Sequence, residues 1–205
     1  MEDVRDLKEL QIDALREVAN IGAGHAATAL SQMTNRRIMI SVPQINIARL
    51  EEVPDLLGSP QDVVAAVLMH MLGDLTGRTL LLFPEHVARR LCDMLLRRDP
   101  GATAAFDAIE QSALKEAGNI LSGAYMNALS DFMGMLLLPS VPSLVVDLSA
   151  AVLTTTYLNF GHDRDFVFCV ETEFRFDSTE GLRGHFLLLP DLASLKAIFD
   201  AIRVT

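Results

Sequence analysis

The sequence has 205 residues, of which half are hydrophobic and 21% are charged, and its formal net charge is −10. A chain of this length can bury one substantial core or two small ones, and its hydrophobic content excludes an intrinsically disordered protein. Nucleic acids and anionic membranes bind basic surfaces, so the acidic balance argues against both as partners. The polar N-terminus does not resemble a signal peptide, and no apolar run reaches the ~18 residues of a membrane span. Because Cys92 and Cys169 are also expected to be buried, reduced thiols, we predict a cytoplasmic protein.

The first half of the chain is predicted to form a long helix, three strands and a shorter helix. Apolar residues recur at helical spacing in the first segment, and the polar run Asn35-Arg36-Arg37 ends it. Apolar runs bounded by Gly and Pro indicate the strands. The predicted elements are a helix over Val4–Thr34, strands over Ile38–Leu50, Val63–Leu72 and Arg78–Phe83, and a helix over Glu85–Arg97. The sequence Asp99-Pro100-Gly101 then marks the boundary between two halves.

The second half repeats this order of elements. They are a helix over Ala105–Met135, strands over Leu144–Tyr157, Phe166–Phe176 and Gly184–Leu189, and a helix over Asp191–Val204. The third strands, followed by Pro84 and Pro190, resemble each other at an offset of 106 residues, which predicts about seven more residues between long helix and strand in the second half. Each half alone would leave sheet edges unpaired, whereas two copies related by a pseudo-twofold axis could share one core.

The two long helices carry the same motif. Residues 13–31, DALREVANIGAGHAATALS, and residues 112–130, SALKEAGNILSGAYMNALS, are identical at nine of nineteen positions without a gap, which indicates a duplication. The identical pairs include Glu17 with Glu116 and Asn20 with Asn119, at an offset of 99 residues. Residues i and i+3 lie side by side on a helix, so each copy presents a carboxylate next to a carboxamide.

The residues around this pair follow the same helical face. Asp13 and Gly24 extend the stripe in the first copy, and Ser112 and Gly123 do so in the second. Neighbouring apolar residues lie off the stripe and can face the core, so the Glu-Asn face is predicted to point to solvent or to a partner. Because Asp13 and Ser112 differ from each other, we assign them a supporting role only.

The chemistry of this face is limited by its residue types. An amide cannot act as a base, but it both donates and accepts hydrogen bonds, so an Asn can hold and orient a water. Positioning of this kind suffices where the substrate is already activated. The carboxylate beside the amide is best suited to pair with a cation. One exposed Glu and Asn would ordinarily be a solvated surface, but their recurrence in both copies favours a function.

The pattern of Asp or Ser, three residues, Glu, two residues and Asn, occurring twice about a hundred residues apart, resembles the CheC family of bacterial and archaeal chemotaxis. That family, with CheX and FliY, dephosphorylates the response regulator CheY. The resemblance covers nearly the whole chain, because length, duplication and both motifs agree. It implies an α+β fold: an internally duplicated helix–three strands–helix unit with pseudo-twofold symmetry, with two long motif-bearing helices on a mainly antiparallel sheet. It also implies one CheC-like domain over residues 1–205, with repeats at about 4–98 and 105–204.

The resemblance also implies roles for the motif residues. Glu17 and Glu116 would pair with the lysine beside the phosphoaspartate of a phosphorylated CheY-like receiver domain, and Asn20 and Asn119 would each place a water in line. The protein would have no cofactor of its own, because magnesium belongs to the receiver. The alternative is a non-catalytic adaptor that binds a receiver domain or a CheD-like deamidase. Both functions need the exposed face, but only catalysis needs the amide.

Overall fold

The computed structural model describes residues 9–49, 53, 59–158, 166–176 and 181–204, and within them it contains five helices and seven strands. In chain order they are α1 (Glu9–Thr34), β1 (Ile38–Arg49), β2 (Val63–Gly73), β3 (Gly77–Pro84), α2 (Glu85–Leu95), α3 (Ala108–Met133), β4 (Leu137–Pro139), β5 (Ser143–Leu148), α4 (Ser149–Leu158), β6 (Phe166–Phe176), β7 (Leu182–Pro190) and α5 (Leu192–Val204). The predicted helix start at Val4 and strand end at Leu50 lie outside the described residues. The predicted α+β fold, with two long helices packed on an antiparallel sheet, is confirmed.

The strands form one antiparallel sheet in which the two halves of the chain exchange strands. The order is β1-β6-β7-β3-β2-β4, and β5 also pairs with β2. Thus β1 from the first half pairs with β6 from the second, while β4 and β5 from the second half pair with β2 from the first. The two halves meet at the centre through β3 and β7. Neither half therefore contains its own complete sheet.

Strand pairing corrects the predicted alignment of the third strands. Val67 pairs with the first strand segment of the second half, and Val170 pairs with the first strand of the first half. Their two partners are 99 residues apart, which is the offset of the duplicated motif, so Val67 and Val170 are equivalent. They pair in turn with Leu81 and Phe186, which are therefore equivalent at an offset of 105 residues, not 106. With an offset of 106, each residue of β3 would be matched to a residue on the opposite face of β7. Leu81 and Phe186 also pair with each other, so the pseudo-twofold axis passes through this pair.

The sheet buries apolar side chains on both faces. On β3, Leu81 and Phe83 face a large core beneath α1 and α3, whereas Leu80 and Leu82 face a smaller core on the opposite side. This alternation is the period of two expected of a strand buried on both faces. The long helices therefore rest on a sheet that is itself supported from behind.

The smaller core explains why one predicted strand is wrong. The sequence predicted a strand over Leu144–Tyr157, but β5 ends at Leu148 and α4 follows immediately. Val152, Leu153 and Thr156 recur at i, i+1 and i+4, and all three are buried, which places them on one helical face against the smaller core. The β-branched residues favour a strand locally, but burial of this face outweighs that preference.

The two cysteines are buried and unpaired, as predicted. Burial raises the pKa of both the Cys92 and the Cys169 thiol to about 12. Both thiols are therefore protonated at neutral pH and are not reactive nucleophiles.

Helices α1 and α3 pack closely at Gly22. A Cβ atom at this position would lie 2.7 Å from Cδ1 and 3.0 Å from Cα of Tyr125. Two residues later, a Cβ at Gly24 would meet nothing within 4 Å. The two glycines therefore have different reasons to be small: Gly22 lets two helices touch, whereas Gly24 leaves an open surface.

These contacts predict opposite effects for the same substitution. We expect Gly22→Ala to lower the free energy of unfolding by about 1 kcal/mol, because overpacking costs ~1–3 kcal/mol and the better helix propensity of Ala offsets up to ~1 kcal/mol of that cost. Gly24→Ala should instead raise it by up to about 1 kcal/mol, since Ala is the better helix former and nothing obstructs it. Urea unfolding of both variants measures the difference. Equal stabilisation by the two substitutions would contradict the close approach at Gly22.

Buried acidic groups fix the connection between α2 and α3. The Asp93 carboxylate accepts hydrogen bonds from the backbone N–H of Gly101 (2.7 Å) and of Thr103 (2.8 Å). Burial alone would raise the pKa of Asp93, but hydrogen bonds from Thr103 and Gly101 outweigh it and the pKa lies below its ordinary value. Arg98 donates a hydrogen bond to the Glu110 carboxylate in the first turn of α3, which lowers the pKa of Glu110. These contacts hold the start of α3 in place.

We expect Asp93→Asn to lower the free energy of unfolding at neutral pH by about 2 kcal/mol, because an amide nitrogen would face one of the two N–H donors. The pKa of Asp93 is lower in the folded state than in the unfolded state. The free energy of unfolding that its carboxylate contributes is therefore complete above the unfolded-state pKa of about 3.9. This contribution is lost as the pH falls through the folded-state pKa. The stability difference between the native chain and the variant should therefore narrow below about pH 4. Denaturant unfolding of both proteins from neutral pH to below about pH 4 measures this difference. A difference in the free energy of unfolding that does not change with pH would contradict the role of the Asp93 carboxylate.

Candidate functional site

The predicted stripe on α1 lies on the solvent side of the helix. Asp13, Glu17, Asn20 and Gly24 are all exposed, whereas the neighbouring apolar residues Leu15, Val18, Ala19 and Ala23 are buried. The four residues of the stripe are separated by four, three and four positions, which places them on one face of the helix, opposite the core-facing residues. The prediction that this face points outward is confirmed.

The second stripe, on α3, has the same arrangement with less exposure at its C-terminal end. Ser112 and Glu116 are exposed, and Asn119 and Gly123 are half-buried. A Cβ at Gly123 would meet nothing within 4 Å, as at Gly24. Open space therefore lies one turn beyond the carboxamide in both copies, so another molecule can approach each Asn.

The motif side chains have no bonding partner within the described part of the chain. Within the described residues, Glu17, Asn20, Glu116 and Asn119 make no hydrogen bond or ion pair. Asp13 differs, because its carboxylate forms an ion pair with Arg16 at 2.8 Å. The two copies therefore match at Glu and Asn and differ at the supporting position, where the second copy has Ser112.

The two stripes form two separate sites. Leu15 and Val18 lie in the same pocket as Leu129, while Gly22 meets Tyr125, so α1 and α3 run in opposite directions. At ~1.5 Å per residue, this places Asn20 and Asn119 about 12 Å apart along the helix axes. Each helix therefore presents its own Glu-Asn pair, and the structure does not bring the two pairs together.

Two apolar residues on these faces were not predicted to be exposed. Ile21, next to Asn20, is 46% exposed, and Ile109, one turn before Ser112, is 55% exposed. An apolar contact beside polar groups is typical of protein interfaces. The exposure of Ile109 could have been predicted from the spacing, because Ile109, Ser112 and Glu116 lie on one helical face. An isolated Ile in a helix, however, is ordinarily assigned to the core.

The described residues contain no group of three or more His, Cys, Asp or Glu side chains that could hold a metal ion. The assignment of magnesium to a partner stays a prediction. None of the helices in these residues is both long and apolar enough to span a membrane.

Comparison with known proteins places both stripes within matched segments. The model of the CheC-like family matches residues 10–47 and 109–146, two segments offset by 99 residues that each contain a long helix and the strand segment after it. The chain is 35% identical over 204 residues to the CheY-P phosphatase CheC of Bacillus subtilis (strain 168), covering 96% of this chain and 95% of that protein. It is 29% identical over 129 residues to the flagellar motor switch phosphatase FliY of the same organism, covering 62% of this chain and 33% of FliY. The crystal structure of Thermotoga maritima FliY has the same fold, with a TM-score of 0.79 at 22% identity over 97% of this chain and 98% of that one.

Proposed function

This chain belongs to the CheC-like family, and on that basis we propose that it is a protein phosphatase that hydrolyses the phosphoaspartate of a CheY-like receiver domain. The observation that carries the proposal is the Glu-Asn pair on the outer side of a long helix, present twice in a chain that is similar over nearly its whole length to a CheY-P phosphatase. The reaction transfers the phosphoryl group from the aspartate to water.

Asn20 and Asn119 each position the attacking water. The amide oxygen accepts a hydrogen bond from the water and the amide N–H donates to it or to a phosphoryl oxygen, which fixes the direction of attack. Because an acyl phosphate is already activated, positioning of this kind supplies the main part of the catalysis. The support for this role is that Asn20 is exposed and Asn119 is half-buried, and that neither side chain has a partner among the described residues.

Glu17 and Glu116 bind the receiver through its lysine. A carboxylate three residues before each Asn lies about 5–6 Å from it on the helix, so a salt bridge to a cation beside the phosphoaspartate aligns the Asn with the phosphorus. Magnesium bound by the receiver would neutralise phosphoryl charge. The open surface at Gly24 and Gly123 leaves room for the receiver beyond each Asn.

The test is the rate of phosphate loss from a phosphorylated CheY-like receiver in the presence of magnesium. We expect a substoichiometric amount of the chain to accelerate this loss with multiple turnovers. A chain that binds the phosphorylated receiver without accelerating the loss would be an adaptor, and the phosphatase proposal would fail. Binding to a CheD-like deamidase belongs to that alternative and is measured separately by co-sedimentation.

A further inference from the structure

A cavity of about 90 Å³ lies between α4 and the face of the sheet that carries the smaller core. Its walls are mostly apolar and include Leu68, Leu80 and Val152. Val145, which also lines the cavity, is 44% exposed, so the cavity opens to solvent beside β5. Helices α1 and α3 pack on the other face of the sheet, so the cavity is separate from both Glu-Asn faces.

Arg78 brings a positive charge to this cavity. It lies two positions from Leu80 on β3, so the two side chains are on the same face of the sheet, and it is half-buried. Arg78 also takes part in another interaction, but a guanidinium has several N–H donors and can bind a carboxylate in addition. A cation next to apolar walls is the arrangement expected of a site for a small anion with an apolar part.

The duplication shows which groups lie beside the equivalent arginine in the second half. At the offset of 105 residues, the counterpart of Arg78 is Arg183 of β7. Arg183 forms ion pairs with Glu171 at 3.3 Å and with Glu173 at 3.8 Å, both on the neighbouring strand β6. Glu171 lies two positions from Cys169, which faces the smaller core, so these pairs are on the same side of the sheet as the cavity.

Both of these acids are replaced in the first half. Because β2 and β6 are equivalent strands, Glu171 corresponds to Leu68 and Glu173 corresponds to His70. Neither Leu nor His offers a negative charge. Leu68 lines the cavity, so the cavity lies beside the position at which the second half has a carboxylate. The arginine is present in both halves, whereas its acidic partners are present in one.

We propose that this cavity binds a short aliphatic carboxylate, with the carboxylate group on Arg78 and the apolar part against Leu80 and Val152. The ligand supplies to Arg78 the charge that Glu171 supplies to the arginine of the second half. A guanidinium binds a carboxylate through two parallel hydrogen bonds, and apolar walls that exclude water strengthen this contact. The proposal does not depend on the proposed function.

Volume and charge limit the ligand. A cavity of ~150 Å³ holds benzene, so one of about 90 Å³ holds on the order of four or five non-hydrogen atoms, the size of acetate or propionate. Asp147 also lines the cavity, but it pairs with Val64, whereas Arg78 pairs with His70. These two positions of β2 are about 20 Å apart at ~3.3 Å per residue. The acid therefore lies at the end away from the cation, where it repels a second carboxylate, and we expect monocarboxylates to bind and dicarboxylates not to.

Titration of the whole chain with sodium propionate at constant ionic strength, followed by amide signals in nuclear magnetic resonance, tests the site. We expect saturable shifts of signals from β2, β3 and α4, and an affinity lower by about 10-fold or more in Arg78→Met, because a charge-assisted hydrogen bond is lost. Arg36→Met removes an exposed arginine elsewhere and should keep the native affinity. The alcohol 1-propanol has the same carbon chain without the charge and should give no saturable shift. Shifts by propionate that do not saturate, an equal affinity for 1-propanol, or an unchanged affinity in Arg78→Met would overturn the proposal.

A second variant copies the second half of the chain into the first. Leu68→Glu places a carboxylate beside Arg78, and we expect it to abolish propionate binding. Leu68→Gln is the matched control, with the same shape and no charge, so Leu68→Glu should unfold at a higher temperature than Leu68→Gln at neutral pH. Native affinity for propionate in Leu68→Glu, or a lower unfolding temperature than that of Leu68→Gln, would also overturn the proposal.

Discussion

The double variant Asn20→Ala, Asn119→Ala is expected to lose about 100-fold or more in kcat/KM toward a phosphorylated CheY-like receiver, as when a positioned hydrogen-bonding group is removed from an active site. The loss should lie in kcat, because in the proposed mechanism the amide acts on the water, and the Glu residues that are proposed to bind the receiver remain. Single-turnover phosphate release with excess chain separates this step from binding.

Three controls make the result specific. Each single Asn variant should retain the activity of the other site, and the double variant should bind the receiver as the native chain does. Asn127→Ala removes another exposed Asn from α3, about two turns beyond Asn119, and should leave the rate unchanged. Native rates in the double variant, or an equal loss in Asn127→Ala, would contradict the role of the two amides. Because Ala favours a helix more than Asn does, loss of folding does not explain a decrease.

Residues 1–98 alone are expected not to fold as a monomer, and this is the largest structural effect that we predict. In the intact chain, each of the three strands of this fragment has a neighbour from the second half: β1 pairs with β6, β2 with β5, and β3 with β7. The fragment therefore loses backbone hydrogen bonds along all three strands and half of the core. Far-ultraviolet circular dichroism should show no cooperative thermal transition.

An equimolar mixture of residues 1–98 and 99–205 should recover the transition, because the two fragments together contain every strand of the sheet. The mixture is also the control for damage caused by truncation. A monomeric fragment of residues 1–98 with a cooperative transition of its own would contradict the exchange of strands between halves.

Local patterns in the sequence predicted most of the helices and strands. The long helix ends at Thr34 as predicted, because the polar residues that follow cannot continue its apolar face. β6 has its predicted bounds, Phe166–Phe176, since charged and apolar residues alternate along it. The segment of α4 was mispredicted because its burial depends on a sheet face assembled from distant strands.

Relations between distant strands were beyond sequence patterns. Runs of leucine in β3 and β7 match at more positions with an offset of 106 than with 105, and only the pairing of the strands identifies the equivalent residues. The exchange of β1 and β5 leaves no local signal, because a strand has the same composition whichever half it pairs with. The exposure of Glu17 and Asn20 was predictable, since helical spacing is a local property, whereas strand order depends on contacts between distant parts of the chain.

The exchange of strands has a consequence for synthesis on the ribosome. β1 has been made once residue 49 is translated, but its partner begins at Phe166, more than a hundred residues later. At about 5–20 residues per second, the nascent chain waits on the order of 10 s before the partner emerges. During this interval the apolar side of α1 and the edge of β1 that later pairs with β6 lack their cover. A neighbouring nascent chain on the same messenger offers the same missing strands, so translation is the stage at which this protein is most exposed to misassembly.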